Sequence, residues 1–382
     1  MSGLRHIPDD RYAARLEACR TAIAEHGLAA LFIGVGPDLR YLANWIGEPM
    51  ERQTLLVIPR DGAVSLVVPQ LEVEKAKATP IVRNGAATVA PFGEADDAAT
   101  LVTRLLDPRF RGPVGLSDRL WAMHVLQLQA ALPERRFVSA GPAMRDLRQV
   151  KDADEVELLR LAAAAADRAM DGIAAGRLVG RTEADVSREI SRRLVDEGHD
   201  RAEFAIVGSG PNGASPHHDA GDRVIEPGEP VVLDIGGTRA GYVSDTTRTI
   251  WVAGEQGIEP DDEFRTVYEL VREAQAAGTS VVAPRVEAQA VDAAAREVID
   301  AAGYGEYFTH RTGHGIGLDV HEDPYMVSGN STPLEPGMAF SVEPGIYLPG
   351  RWGVRLENIV ICAADGPDTL NGSSLDLRAV RG

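Results

Sequence analysis

The chain has 382 residues, 44% hydrophobic and 25% charged, a globular balance with enough length for two domains. Its formal net charge of −18 argues against nucleic acid or an anionic membrane as partner, because both require clustered Lys and Arg. No apolar run approaches the roughly 20 residues that span a bilayer. The opening MSGLRHIPDDRYAARLE has no signal-peptide core, and two isolated cysteines, Cys19 and Cys362, form no disulfide framework. A cytoplasmic protein is expected.

The first elements alternate. Arg11–His26 reads as a helix with Leu16, Cys19 and Ile23 on one face, and Gly27 ends it. Residues 28–34 read as a buried strand. Residues 53–59 and 63–69 flank the turn Arg60-Asp61-Gly62 as a hairpin. Helical stretches follow near 70–78, 95–106 and 118–131, with a short strand near 114–116. This is a small α/β domain, assigned to residues 1–145. From 146 to 382 a second domain is expected. Asp152 and Glu155 form a capping box before a long Ala-rich helix, and Thr182 opens another helix that Gly198 stops. Strands and turns begin at residue 203, interrupted by helices near 261–277 and 284–302. Helices mixed with antiparallel hairpins indicate an α+β fold.

Two hairpins carry acids where strands usually exclude them. In VVLDIGGTRAGYVSDTTRTI (231–250), a hairpin closed at Arg239-Ala240 pairs residue i with residue 479 − i, so Asp234 faces Asp245. Two carboxylates ~5 Å apart repel by about 3 kcal/mol at an effective dielectric of ~20. In FSVEPGIYLPGRWGVRLENIVI (340–361), Glu343 and Glu357 mirror each other about Gly350, each among apolar neighbours. Between the hairpins, HRTGHGIGLDVHEDP (310–324) holds His310, His314 and His321 around glycines, without the HExxH spacing of single-zinc proteases. Four carboxylates require two divalent ions for neutrality, so a dinuclear centre is inferred. Oxygen-rich donors favour Mn²⁺, with Co²⁺ or Zn²⁺ as alternatives.

DIGG…SDTTRT, GHGIGLDVHE, EPGIY and GVRLEN together resemble the metal-dependent pita-bread peptidases, the group of methionine aminopeptidase, prolidase and aminopeptidase P. PDLRYLANW (37–45) resembles the creatinase-type amino domain of prolidases and aminopeptidase P. The resemblance implies a pita-bread catalytic domain preceded by a smaller creatinase-like amino domain. It implies five metal ligands: Asp234, Asp245, His314, Glu343 and Glu357, with Asp245 and Glu357 bridging both ions. It places an active-site histidine at His217, with His218 as the alternative for a loop shifted by one. His321 is expected to hold substrate near the scissile bond, and Glu343 to relay the proton of a metal-bridging hydroxide. His310 and Arg355 are expected to bind substrate or to support the ligands, with a structural salt bridge as the alternative for Arg355, which lies two residues from Glu357; Trp45 is expected to approach substrate across a homodimer, or else to pack in the core or at the domain interface. The implied reaction is hydrolysis of the peptide bond before proline in short peptides. Two other readings use the same fold: a metal-dependent hydrolase of a small amide or amidine, as in creatinases and ectoine hydrolases, and a non-catalytic binding protein.

Overall fold

Ala-Leu-Phe-Ile-Gly is buried at every position and forms β1 (Ala30–Gly34), an interior strand of the computed structural model. The structure describes residues 6–106, 109 and 111–381; the first five residues of the N-terminal segment and Gly382 lie outside them. Two units divide the chain, one spanning Ile7–Arg148 and one built from Gln149 onward.

In the amino unit, β1, β2 (Leu55–Pro59), β3 (Val64–Pro69), β4 (Ala87–Phe92), β5 (Val114–Leu116) and β6 (Phe137–Ser139) form one mixed sheet in the order β4-β3-β2-β1-β5-β6. Phe32, Leu55, Val57, Val67 and Val114 pack under Val102 and Leu128 of the helices Ala98–Thr103 and Ala122–Ala131. The two edge strands, β4 and β6, escape the sequence reading. Both are only partly buried, and β6 has three residues, too few for an alternating pattern to register.

The second unit begins with the capping box foreseen at Asp152 and Glu155, which starts the helix Ala153–Ala174. Thr182 caps the next helix, Glu183–Asp196. Both helices lie on a sheet of β7 (Arg201–Ser209), β8 (Glu229–Arg239), β9 (Tyr242–Val243) and β10 (Thr246–Val252), joined at its edge by β18 (Ala379–Val380). A second sheet runs β12-β11-β13-β16-β17: β11 is Gly313–Gly315, β12 Glu322–Met326, β13 Ala339–Val342, β16 Asn358–Ala363 and β17 Gly366–Thr369. Between them, β14 (Gly345–Leu348) pairs with β15 (Trp352–Arg355). Helices Asp262–Ser280 and Ala288–Ala301 cover this half.

Strand alternation decides which side chains meet helices and which meet the site. Val231, Leu233 and Ile235 of β8 enter the helix-covered core, so Val232 and Asp234 point the opposite way. Ile250 and Val252 of β10 join the same core, leaving Thr247, Thr249 and Trp251 on the face of Asp234. In the second sheet Phe340, Val342, Val360 and Cys362 face helices. Ser341, Glu343, Glu357 and Ile359 therefore share the other face.

Candidate metal centre

The first acidic hairpin closes one residue later than its sequence suggests. Asp234 pairs with Thr247 and Arg239 with Tyr242, so residue i faces 481 − i and the turn is Ala240-Gly241. Both turn residues take positive φ, 50° and 91°, the conformation of a type I′ turn, which Arg239 would resist. The direct pairing of Asp234 with Asp245 is thereby corrected. The displacement is two positions, an even number, so the faces are unchanged: Asp245 lies diagonal to Asp234 on the same side. The second hairpin follows its predicted count. Ala339 pairs with Ile361 and Leu348 with Trp352, which sets Glu343 opposite Glu357. Its ladder is broken where the acids sit, beside Pro344, which has no N–H to donate. Each acid therefore occupies a gap between two short strand pairs.

The two hairpins meet along a seam. The Glu357 N–H donates to the Thr247 carbonyl at 3.1 Å, and the Thr247 hydroxyl donates to Glu357 Oε2 at 2.6 Å. His314 arrives on β11. A Cβ on Gly313 would stand 1.8 Å from the Ser341 carbonyl oxygen, and one on Gly315 2.3 Å from that of Asp323. Those glycines let β11 lie close enough to deliver His314 between the hairpins. Its Nε2 is 3.2 Å from Glu343 Oε1 and 3.6 Å from Asp245 Oδ2. One ligand atom each from Asp245, His314 and Glu357 lies within 4.8 Å of the others.

Asp234, Asp245, His314, Glu343 and Glu357 all line one cavity of about 480 Å³. The donor set fits divalent cations on two observations. First, Asp234 Oδ1 and Glu357 Oε1 are buried with no hydrogen-bond partner among the described residues, an expensive state for a carboxylate. Second, burial followed by the charge of Glu357 and Asp234 raises Asp245 well above the usual carboxylate range. Burial followed by the charge of Glu343 and Asp234 does the same to Glu357. Such crowding is relieved by positive charge placed among the oxygens. Glu343 goes the other way: burial opposes ionisation, yet the hydrogen bond and charge of His314, with His310 and Arg355, hold it at about 2.

His217, His310, His321 and Arg355 line the same cavity. His321 lies against His314, the rings tilted by 44° with centroids 3.9 Å apart; burial and then the charge of His314 pull it down to about 4. His310 is fastened at both nitrogens, to the Arg311 carbonyl at 2.7 Å and the Tyr347 hydroxyl at 2.8 Å. The sequence reading left Arg355 between substrate binding and a salt bridge within the protein; its donors are engaged by the protein. They reach Asp234 Oδ2 at 2.5 Å, the Tyr347 hydroxyl at 2.9 Å, and the Pro216 carbonyl and Thr247 hydroxyl at 3.2 Å each. Arg355 thus orients Asp234. Trp45 belongs to the amino unit, where it is buried with Lys75 Nζ 4.3 Å above its ring.

His218 turns from the cavity to Glu183 Oε2 at 2.8 Å. Glu183 is a residue that sequence reasoning missed, since it reads as an ordinary first-turn acid of the Thr182 helix. Fully buried, it accepts bonds from the Ser209 N–H and hydroxyl, Asn212, His218 and Gly221. Burial raises its pKa, but the bonds from Ser209, His218 and Asn212 outweigh that and hold it below the usual range. The carboxylate thereby ties down the loop carrying His217. Replacing Glu183 with alanine strands those donors and is expected to lower unfolding free energy by about 2–4 kcal/mol. Urea unfolding checks this; an unchanged midpoint would refute the anchoring role.

Comparison with known proteins agrees with this architecture. A family model described as metallopeptidase family M24 matches residues 157–364, and one described as the creatinase/prolidase N-terminal domain matches residues 15–150. The chain is 45% identical to a probable dipeptidase PepE of Mycobacterium tuberculosis, over 99% of each sequence. It is 32% identical to an Xaa-Pro dipeptidase of Lactobacillus delbrueckii subsp. lactis, over 96% of this chain and 98% of the other. The crystal structure of dipeptidase PepE from Mycobacterium ulcerans matches with a TM-score of 0.92 at 43% identity, covering 99% of this chain and 100% of that one.

Proposed function

This chain belongs to metallopeptidase family M24, with the pita-bread catalytic fold behind a creatinase/prolidase-type amino domain, and from that premise we propose that it is an Xaa-Pro dipeptidase. The observation that carries the proposal is the five-residue donor set with its two unpartnered carboxylate oxygens, opening on a cavity large enough for a small peptide. Phe204, Ile206, Pro216 and Val320 line that cavity as well and offer apolar surface to a pyrrolidine ring.

Asp234, Asp245, His314, Glu343 and Glu357 would hold two divalent cations, Mn²⁺ by first preference for an oxygen-rich set. The four carboxylates would offer oxygen donors and His314 an imidazole nitrogen. When bound, such ions supply an acidified water as nucleophile and a Lewis acid for the scissile carbonyl. The chain's own groups do the rest. Glu343, kept ionised, accepts and relays a proton. His217 donates to the oxyanion that develops on the carbonyl. His321, neutral at pH 7, offers one nitrogen as donor and one as acceptor to the peptide near the scissile bond. Arg355 and Thr247 keep Asp234 and Glu357 aimed.

The test reconstitutes metal-free protein with Mn²⁺ and offers Ala-Pro, Ala-Pro-Ala, Ala-Ala and creatine. Rapid hydrolysis of Ala-Pro, with Ala-Ala slower by at least about tenfold, is expected. Turnover of creatine alone would overturn the proposal. A cytoplasmic homodimer completes it. Ile46, Met50, Leu71, Trp121, Met123 and Leu126 of the amino unit are exposed apolar side chains suited to a partner surface. No helix among the described residues is long and apolar enough to cross a membrane. Sedimentation equilibrium and cell fractionation check both points.

A further inference from the structure

The amino unit has a cavity of its own, about 160 Å³, where β3 and β4 finish at Pro69 and Phe92. Strands β3 and β4 run parallel, and β2 runs antiparallel to β3 with Leu55 opposite Val67. The start of β2 therefore lies at the carboxyl ends of β3 and β4, the edge at which open α/β sheets leave room for a ligand. Leu55 and Val57 of β2 join the core beneath the helices Ala98–Thr103 and Ala122–Ala131. Gln53, two residues ahead of Leu55, extends that row and lines the cavity beside Ala98 and Gln127 of those helices. A position of this parity calls for an apolar side chain; it holds a carboxamide.

Gln53 is 4% exposed, and among the described residues neither its Oε1 nor its Nε2 has a hydrogen-bond partner. An amide buried in that state is costly, so whatever enters the cavity is asked for both a donor and an acceptor. The walls add charge. Glu51, Glu94, Asp96 and Asp97 stand around the cavity with Arg52, which is paired with Glu94 at 2.7 Å. Asp97 caps the helix Ala98–Thr103 and Asp96 accepts the Gly93 N–H at 2.8 Å, yet a carboxylate has lone pairs beyond those bonds. This surplus of acids favours an ammonium as the donor. A bare divalent ion would satisfy Oε1 and leave Nε2 without an acceptor. Size narrows the choice: a cavity of about 150 Å³ admits benzene, with six heavy atoms, and the smaller α-amino acids have about six to eight.

We propose that this cavity is a second ligand site, which takes a small α-amino acid as its zwitterion. The ammonium faces the acids and donates to Gln53 Oε1. The carboxylate accepts from Gln53 Nε2, and Pro69 and Phe92 offer apolar surface to the side chain. The site stands apart from the peptidase reading, because none of its residues lines the cavity of the donor cluster. In the sequence, residue 53 is only the head of a hairpin strand. Its role emerges once the two helices cover it and leave its carboxamide without a partner.

Calorimetric titration of the Mn²⁺-loaded full chain with L-alanine, L-proline, acetate and methylamine tests the proposal. The two amino acids are expected to bind with Kd on the order of 1 mM. Acetate and methylamine each supply half of the required pair and should bind at least about tenfold more weakly. Gln53→Leu should weaken L-alanine by at least about tenfold. Its hydrolysis of Ala-Pro should stay within about twofold of wild type, since Gln53 shares no partner with the donor set. The ligand-free variant should unfold at an equal or higher temperature, because an orphaned amide gives way to an apolar side chain. If Gln53→Leu does not fold, Gln53→Met provides the same comparison. Asp245→Ala separates this site from product binding at the metal centre and should keep the L-alanine titration unchanged. Undiminished binding in Gln53→Leu, loss of binding in Asp245→Ala, or only ordered water in the cavity of crystals grown with L-alanine would overturn the inference.

Discussion

Alanine at position 245 is expected to lower metal-dependent hydrolysis of Ala-Pro by at least about 10³-fold, because a divalent ion brings the pKa of bound water from 15.7 to about 7 and this side chain is proposed as one of its ligands. The expectation rests on where Asp245 stands. It occupies the gap between β9 and β10, on the face of Asp234, with one oxygen grouped with ligand atoms of His314 and Glu357. Of the acids at the site, it is the one whose surroundings combine burial with the charges of Glu357, Asp234 and Glu343. Removing it takes away a donor that no neighbour can replace, since Glu343 is held by Ser341 and Asp234 by Arg355. The fold should survive. In metal-free protein the substitution removes a repelling charge, so the unfolding temperature should stay level or rise. Enzyme assay and metal analysis of the same preparation decide the matter. An undiminished rate, or full metal content with full activity, would sink the dinuclear assignment.

Chelation is the second large effect. If each ion is present at 100 times its dissociation constant, two ions stabilise the folded chain by about 2.7 kcal/mol apiece. For a unit of this size that corresponds to roughly 10–20 °C of unfolding temperature, lost on treatment with EDTA. The gap should depend on pH, with a definite sign. Asp245 and Glu357 bind protons more tightly in the folded chain than in the unfolded one. Their contribution to the metal-free protein is therefore most favourable at low pH and declines as pH climbs from about 4 through their raised folded values. Glu343, held at about 2, behaves oppositely: its stabilisation is present above about pH 4 and is lost only as pH falls below that. Divalent ions must displace the protons on Asp245 and Glu357, so their stabilisation weakens as pH falls. Scanning calorimetry from pH 5 to 7.5 should show the gap between loaded and chelated protein widening with pH. A constant or narrowing gap would contradict the crowded-carboxylate account.

Much of this site was legible in the sequence because strand geometry is periodic. Glu343 and Glu357 mirror each other about Gly350, and the observed pairing keeps that count through both halves of the hairpin. Asp234 and Asp245 were assigned the right face by the wrong register. The turn moved by one residue because Ala240-Gly241 accepts positive φ where Arg239-Ala240 does not, and a shift of two in the pairing leaves side-chain parity intact. The sequence placed the active-site histidine at His217 but left His218 open for a loop shifted by one. The choice between cavity and core was made by Glu183, whose buried carboxylate captures His218.

The sequence by itself determined the α+β order of elements, the helix caps at Asp152 and Thr182, and the pairing of acids on hairpins. These follow from local rules: periodicity, capping and turn chemistry act over a few residues. Only the tertiary structure decided the partners of the charged groups. Arg355 could have met substrate or protein until Asp234, Tyr347 and Pro216 closed around it. That outcome depends on contacts between segments distant in the chain, and burial then fixes what each charge costs and which neighbour must answer it.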